Sequence, residues 1–322
     1  MKETLLPLLH LLLFPGGAFA LAAGLLLKGV DRRVEARLQR RVGPPILQPF
    51  LDIIKLAHKE TIIPATGNRA AFLAAPLIGL TGMAVCAAFI PVPGAYAGMD
   101  NMGDMLVIFY LLPLPAIALM VGGSASSSPF GAFGFSREMC MMLAYELPLL
   151  GVLLAVAMKV GATMPGGGAE FSLAEVVRWQ AANGQLGLHW SMLPALAAYL
   201  FFLPGTMGVA PFDTPEAESE VVEGPLLEYS GPALGFFYLG AALKAVVVLG
   251  LGVVMFFPGT LPGGVLVNVA WFLAKCLLLM LVSLTVVKAA TGRFRPEQAF
   301  VFYMKYPLPL ALAGLGLVWA GL

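Results

Sequence analysis

The hydrophobic residues of this chain come in long unbroken runs, not in the alternating or one-faced patterns of a water-soluble fold. A spanning helix needs about 20 apolar residues, and eight segments qualify: 5–28, 70–91, 104–122, 139–159, 191–209, 232–257, 265–289 and 298–321. They predict an all-α integral membrane protein, a single bundle of about eight transmembrane helices making one membrane domain over residues 1–322. Pro76, Pro113, Pro115 and Pro148 fall inside the runs and predict kinks, which membrane bundles tolerate. The polar stretches 29–69 and 210–231 predict two structured loops. In the 160–190 stretch, Gly166 to Gly168 precede Ser172-Leu-Ala-Glu175, a capping-box spacing that predicts a short surface helix through Trp179.

Composition narrows the solvent. Hydrophobic residues make up 59% of the chain and charged residues 11%, about half the charge of a soluble domain, so lipid must surround most of it. The first apolar run lacks a basic leading region and a clean cleavage site, which predicts that it is retained. Basic residues crowd Lys28 to Arg69 and acids crowd Asp213 to Glu228. That segregation argues against a nucleic-acid surface and for specific patches. Lysine and arginine concentrate in the loops after helices 1, 3, 5 and 7, so the positive-inside rule predicts a multi-pass protein of the cell inner membrane with both termini on the outer, periplasmic side. Cys86, Cys140 and Cys276 are isolated, and His10, His58 and His189 are scattered. Cluster or metal ligation needs grouped ligands, so no metal or redox cofactor is expected in this chain.

The 29–69 loop is basic and periodic. Arg33, Arg37 and Arg41 stand at i, i+4, i+8, Val34 and Leu38 share another face, and Gly43-Pro44-Pro45 breaks the helix. A second amphipathic helix is expected from Gln48 to Glu60, with Asp52 pairing Lys55 at i+3. The loop reads either as a headgroup anchor or as a docking platform for a soluble partner. In the second polar loop, Asp213, Glu216, Glu220 and Glu223 fall at i, i+3, i+7, i+10 and predict one carboxylate stripe on a helix, with Glu218 pointing away. Desolvation there would raise carboxylate pKa values toward neutrality. Asp213 and Glu216 also have capping-box spacing. Inside the predicted helices, Glu138 and Glu146 are separated by eight residues, about 80° around a helix, and can face one polar seam. Glu138 is equally suited to a helix first turn. Lys244 and Lys275 are deep, as snorkelling or structural cations or as partners of the glutamates. Lys305 reads as an end anchor.

Together these residues form a pattern. Asp31-Arg32-Arg33, Gln39, Arg41-Val-Gly43-Pro44-Pro45, Gln48-Pro49-Phe50-Leu-Asp52-Ile-Ile-Lys55 and Lys59-Glu60 resemble the first cytoplasmic loop of the complex I NADH dehydrogenase subunit 1 family. Phe212-Asp213-x-x-Glu216-x-Glu218-x-Glu220 through Glu228-Tyr229 is similar to that family's acidic loop, and Arg137 with Tyr145-Glu146 to its intramembrane glutamate. Glu223 and Glu138 have no usual counterpart in the quinone enzymes. The segment between Arg41 and Gln48 is about six residues shorter than theirs, and the compact form, with Glu223-Gly-Pro-Leu, most resembles the membrane anchor of energy-converting membrane-bound [NiFe] hydrogenases of the formate hydrogenlyase and Ech type. The resemblance implies a subunit of an oxidoreductase complex that couples redox chemistry to proton translocation and is not catalytic alone. It implies a proton path among Glu138, Glu146, Asp213, Glu216, Glu218, Glu220, Glu223, Glu228, Lys244 and Lys275. Arg32, Arg33, Arg37, Arg41, Gln48, Asp52, Lys55, Arg137 and Tyr229 would line a cavity and dock partners. Those partners would be hydrogenase-like large and small subunits, which carry [4Fe-4S] clusters and the Ni-Fe site, and antiporter-like membrane subunits. The alternative within the family is the quinone-site subunit of an NADH:quinone oxidoreductase. A stand-alone transporter is a third reading, which lacks the internal repeat common in that class.

Overall fold

The computed structural model describes residues 9–98, 104–164 and 168–321, without the side chains of residues 218 and 219. The described chain is helical, with two isolated bridges, Val92 to Tyr96 and Asp104 to Ser172, in place of strands. Helix α1 spans Gly17–Leu38, α2 Gln48–Ala57, α3 Arg69–Phe89, α4 Met105–Leu111 and α5 Leu114–Ala125. Helix α6 spans Pro129–Gly161, α7 Leu173–Asn183, α8 Leu193–Thr206 and α9 Gly231–Phe256. Helix α10, Val265–Met280, runs through a π-helical turn at Leu281–Thr285 into α11, Val286–Ala290, and α12, Pro296–Lys305, adjoins α13, Pro307–Trp319.

Seven of the helical stretches are long and apolar enough to cross a bilayer. The expected fifth span is the shorter apolar helix Trp190–Thr206. Pro76 and Pro148 lie within continuous helices, whereas the Pro113 to Pro115 segment divides α4 from α5. Helix α9 is buried along most of its length and packs on α1, α3, α10 and α2, while α6 packs on α5, α8 and α13.

Two expected boundaries are wrong for physical reasons. Helix α1 does not stop at the last apolar residue but continues to Leu38, because a basic segment emerging into water has no reason to break a helix until Arg40, which takes a positive φ of 58°. Arg33 and Arg37 therefore stand on α1 and Arg41 lies beyond it, so the three do not share one helical face. Val34 and Leu38 do not form a separate face either, since they line one shallow groove with Arg33 and Arg37. Helix α6 starts ten residues before the expected 139, at Pro129, since proline is suited to a first helical turn. Arg137 and Glu138 are thus inside the helix, and the dipole reading of Glu138 is lost.

Close helix approach depends on small residues, since lipid supplies no hydrophobic drive between helices. A Cβ on Gly24 of α1 would stand 2.1 Å from the Ala242 carbonyl oxygen of α9. Gly24→Val should force these helices apart. The overpacking costs about 1–3 kcal/mol or more, and the expected result is a several-fold lower yield of intact chain in detergent-extracted membranes. Yield equal to wild type would mean that the α1–α9 contact is not tight.

The loops after the first, third, fifth and seventh spans gather at one end. The Ile62 amide donates to Ser230 Oγ at 2.9 Å, the Asn68 amide to the Ala125 carbonyl at 2.9 Å, and Arg293 reaches Asp213. At the other end the Met105 amide donates to the Phe171 carbonyl at 2.9 Å, and Gln180 of α7 bonds the carbonyls of Val254 and Met255. Helix α7 forms as the spacing predicts and includes Trp179, but Ser172 makes no side-chain cap, and Glu175 pairs with Arg178 instead. Gly166 and Gly167 lie outside the described residues.

Candidate functional site

At the basic end, the loop between α8 and α9 folds inward over the membrane helices. Its residues do not form the expected carboxylate stripe. Only Glu218–Val221 make a helical turn, and Val222 and Glu223 follow with positive φ of 50° and 65°. Pro211 and Pro215 interrupt the segment, and proline opposes a regular helix interior by removing donors and fixing φ, so the carboxylates diverge. The Asp213–Glu216 capping box is not made, because the helix it would start does not exist.

Each acid finds its own setting. Arg293 grips Asp213 with two bonds, Nε to Oδ1 at 2.9 Å and a terminal nitrogen to Oδ2 at 2.6 Å. Arg137 donates to the Thr214 carbonyl at 3.2 Å and to the Glu220 carboxylate. Bidentate arginine–carboxylate geometry is rigid as well as attractive, so these two cations pin the loop at both sides of Glu216. Glu223 is exposed and Glu228 half-buried, and the side chain of Glu218 lies outside the described residues. Tyr229 anchors the loop's end: its hydroxyl donates to the Phe72 carbonyl at 2.9 Å, and its ring stacks on Phe72 at 3.9 Å. Burial pushes the Tyr229 phenol up from its ordinary range.

Beneath the clamped loop is a chamber of about 170 Å³. Glu216 enters it from the loop, Glu138 from α6, Lys28 from α1 and Lys244 from α9, with Thr206 and Asp213 on its wall. Glu216 lines the chamber and is half-buried. Its carboxyl is pushed up to about 7, first by burial, then by the charge of Glu138, against the opposing pull of Lys28. A group poised near 7 changes charge readily at physiological pH. Lys244 is buried, lies within electrostatic reach of Glu138, Glu146 and Glu216, and its Nζ stands 5.9 Å from the Tyr145 ring centre. Glu146 lies about two turns further along α6 from Glu138. Two buried side-chain atoms in this region, Glu146 Oε1 and Thr214 Oγ1, have no hydrogen-bond partner among the described residues, and the Tyr145 and Thr206 hydroxyls face each other. Buried polar atoms are nearly always satisfied, so these oxygens form a polar patch within an otherwise apolar bundle.

The structure brings Glu138, Glu146, Glu216 and Lys244 together, with Asp213 and Glu220 held at the rim. It does not bring in Lys275, whose Nζ donates to the carbonyls of Phe257 and Gly259 at 2.7 and 2.8 Å, capping the far end of α9. Lys305 stands at a helix end over the Tyr306 ring at 5.6 Å. Of the docking residues, Asp52 pairs not with Lys55 but with Arg32 at 3.2 Å and accepts from Gln48 at 2.8 Å. Arg41 donates to the Gln39 side chain. Sequence reasoning missed Lys28 and Arg293, and also a network in which Lys288 bonds Glu35 at 2.6 Å and Thr285 Oγ1 donates to Asp31 at 2.6 Å. Charge balance was the available signal: half-buried acids need cations from distant loops. Among the described residues no group of histidine, cysteine or acidic side chains could hold a metal ion.

Comparison with known proteins gives this arrangement its context. The family profile described as NADH dehydrogenase matches residues 11–319. The chain belongs to the NADH dehydrogenase family. Members similar to it include the H-type subunit of the NADH-quinone oxidoreductase of Thermomicrobium roseum, 34% identical over 89% of this chain and 88% of that protein. Its counterpart in Syntrophotalea carbinolica is 31% identical over the full length of both. Among solved structures, a chain of the membrane-bound sulfane sulfur reductase, an archaeal respiratory membrane complex, superposes with a TM-score of 0.85 at 27% identity, over 99% of this chain and 100% of that one. This NADH dehydrogenase family member is therefore a complex I-like membrane subunit of a respiratory complex.

Proposed function

We propose that this subunit couples electron transfer in a hydrophilic partner arm to proton movement through the membrane, within a hydrogenase-type complex related to complex I. The observation that carries the proposal is the chamber in which Glu216, pinned between two arginine clamps, meets Glu138 and Lys244 below it. A change of charge or geometry in the arm would act on the loop from Asp213 to Glu228, reload Glu216, and pass protons by way of Glu138 and Lys244 to Glu146. From there they would reach antiporter-like membrane subunits. Clusters of the [4Fe-4S] type and the Ni-Fe site would reside on the large and small subunits of the arm, docked over the basic 29–69 segment, and positive-inside counting puts that end in the cytoplasm. Support for the hydrogenase-type branch comes from the compact Arg41 to Gln48 segment and from Glu223-Gly-Pro-Leu.

A second reading, the quinone-site subunit of an NADH:quinone oxidoreductase, is favoured by the curated relatives and by the apolar walls of the chamber. Gentle extraction of the native complex, with partner identification by mass spectrometry and metal analysis of the same sample, separates the two. Nickel with iron and a hydrogenase-type large subunit is the expected result. Iron without nickel, accompanied by bound quinone or flavin, would replace the proposal with the second reading.

A further inference from the structure

A second cleft, of about 320 Å³, opens where α1, α2 and α9 meet. Its charge is lopsided: Lys28, Arg32, Lys55 and Lys59 line it against one carboxylate, Asp52. Asp52 is already engaged by Arg32 and Gln48, and Lys55 and Lys59 make no ion pair among the described residues. The remaining wall is apolar, formed by Leu25, Ile53, Leu56 and Leu234. Leu25 lies one turn below Lys28 on α1, so the lining grades from cationic at the rim to hydrocarbon within. The level of the cleft is fixed by α2, whose outward residues Leu51 and Ile54 are 54% and 56% exposed, with Leu47 just before it at 58%. An amphipathic helix with that apolar face rests at the boundary of headgroups and acyl chains.

From this charge complementarity and depth, we infer that the cleft holds one anionic phospholipid, its phosphate on Arg32, Lys55 and Lys59 and an acyl chain along Leu25, Ile53 and Leu56. Basic side chains at the interface select acidic lipids over zwitterionic ones, and the Asp52 bridge holds Arg32 in place. The lipid would seal α2 against the bundle beside the chamber, with which the cleft shares Lys28 and Tyr238. The inference divides the basic 29–69 segment: Arg32, Lys55 and Lys59 line the cleft and hold the lipid, and the arm docks on the remaining cations of that segment.

Native mass spectrometry of the whole complex, delipidated and incubated with phosphatidylglycerol or phosphatidylcholine, tests it. One phosphatidylglycerol should be retained per complex, phosphatidylcholine should not, and inorganic phosphate at equal ionic strength should fail to displace the lipid. Retention should fall roughly tenfold in the double variant Lys55→Gln, Lys59→Gln, return with arginine at both positions, and stay unchanged in the control Arg40→Gln, Arg69→Gln, two exposed cations of the same end. Equal retention of both lipids by the wild-type complex would overturn the inference without recourse to any variant. An equal loss in the control would reduce it to general surface charge. Full displacement by phosphate would make the cleft a soluble-anion site, and loss of the arm in the Lys55, Lys59 variant would assign the cations to an acidic partner surface; each contradicts a lipid site.

Discussion

Glu216→Gln is expected to lower ion pumping by the assembled complex at least tenfold while electron transfer through the arm stays within about twofold, as proton-transfer groups contribute factors of about 10²–10⁴. Among the described loop acids, Glu216 both enters the chamber and carries a carboxyl held near 7. Its neighbours Asp213 and Glu220 are held by arginines and act as anchors. Glutamine keeps the shape and hydrogen-bonding capacity but cannot load a proton. Wild-type pumping should therefore weaken well below pH 7, where Glu216 stays protonated, and well above it, where it stays ionised; the variant should lack that dependence. Stability carries a second signature. The folded carboxyl titrates at about 7 against an ordinary 4.5, so the folded state binds more protons than the unfolded state between those values. Stability is then greatest below 4.5, falls as pH rises toward 7, and is flat above. The loss is roughly 3 kcal/mol at most, from about 1.4 kcal/mol per pH unit. Melting of wild type and variant between pH 5 and 8 should diverge in that sense. Parallel melting curves would show that Glu216 is not held in a desolvated site.

Lys244→Met is expected to be more damaging to the fold than any single acid replacement in the chamber. Lys244 is buried, and the cation lies among Glu138, Glu146 and Glu216. Removing one partner of a buried charge cluster leaves the others uncompensated and costs about 3–5 kcal/mol, whereas removing both can be nearly neutral. The Lys244→Met complex should therefore be recovered in reduced amount, with a melting temperature several degrees lower. Adding Glu138→Gln should restore much of the loss, because the residues are close enough for their effects to be strongly non-additive. The double variant should fold but not pump. Additive losses in the cycle would mean that Lys244 and Glu138 do not share one electrostatic site, and the path through them would have to be redrawn.

The membrane spans were legible in the sequence because a bilayer imposes one strong constraint, a long apolar run for every crossing. All eight predicted segments correspond to helical stretches, including the weak fifth at Trp190–Thr206. Polar segments follow no comparable rule. The spacing of Asp213, Glu216, Glu220 and Glu223 fits a helix, yet Pro211, Pro215 and the left-handed Val222 and Glu223 turn the chain so that these acids diverge. The extension of α1 through Arg37 was hidden because helix propensity, not hydropathy, decides where an emerging helix ends. Tyr229 and Arg137 were recognisable as site residues, but their partners Phe72 and Glu220 are 157 and 83 residues away. Lys275 illustrates the converse: its depth in an apolar helix suggested a titrating group, but the exposed carbonyls at the end of α9 take both its bonds.

The most direct test of coupling reconstitutes the native complex in vesicles and records electron turnover and the ion gradient on the same sample, for wild type and for Glu146→Gln. Glu146 lies beyond the chamber on α6, with a buried oxygen that has no hydrogen-bond partner among the described residues. The account predicts an assembled complex with near-normal electron turnover and little or no gradient, because the relay would stop after Glu138 and Lys244. A gradient equal to wild type at equal turnover would contradict it, and would move ion transfer out of this subunit altogether.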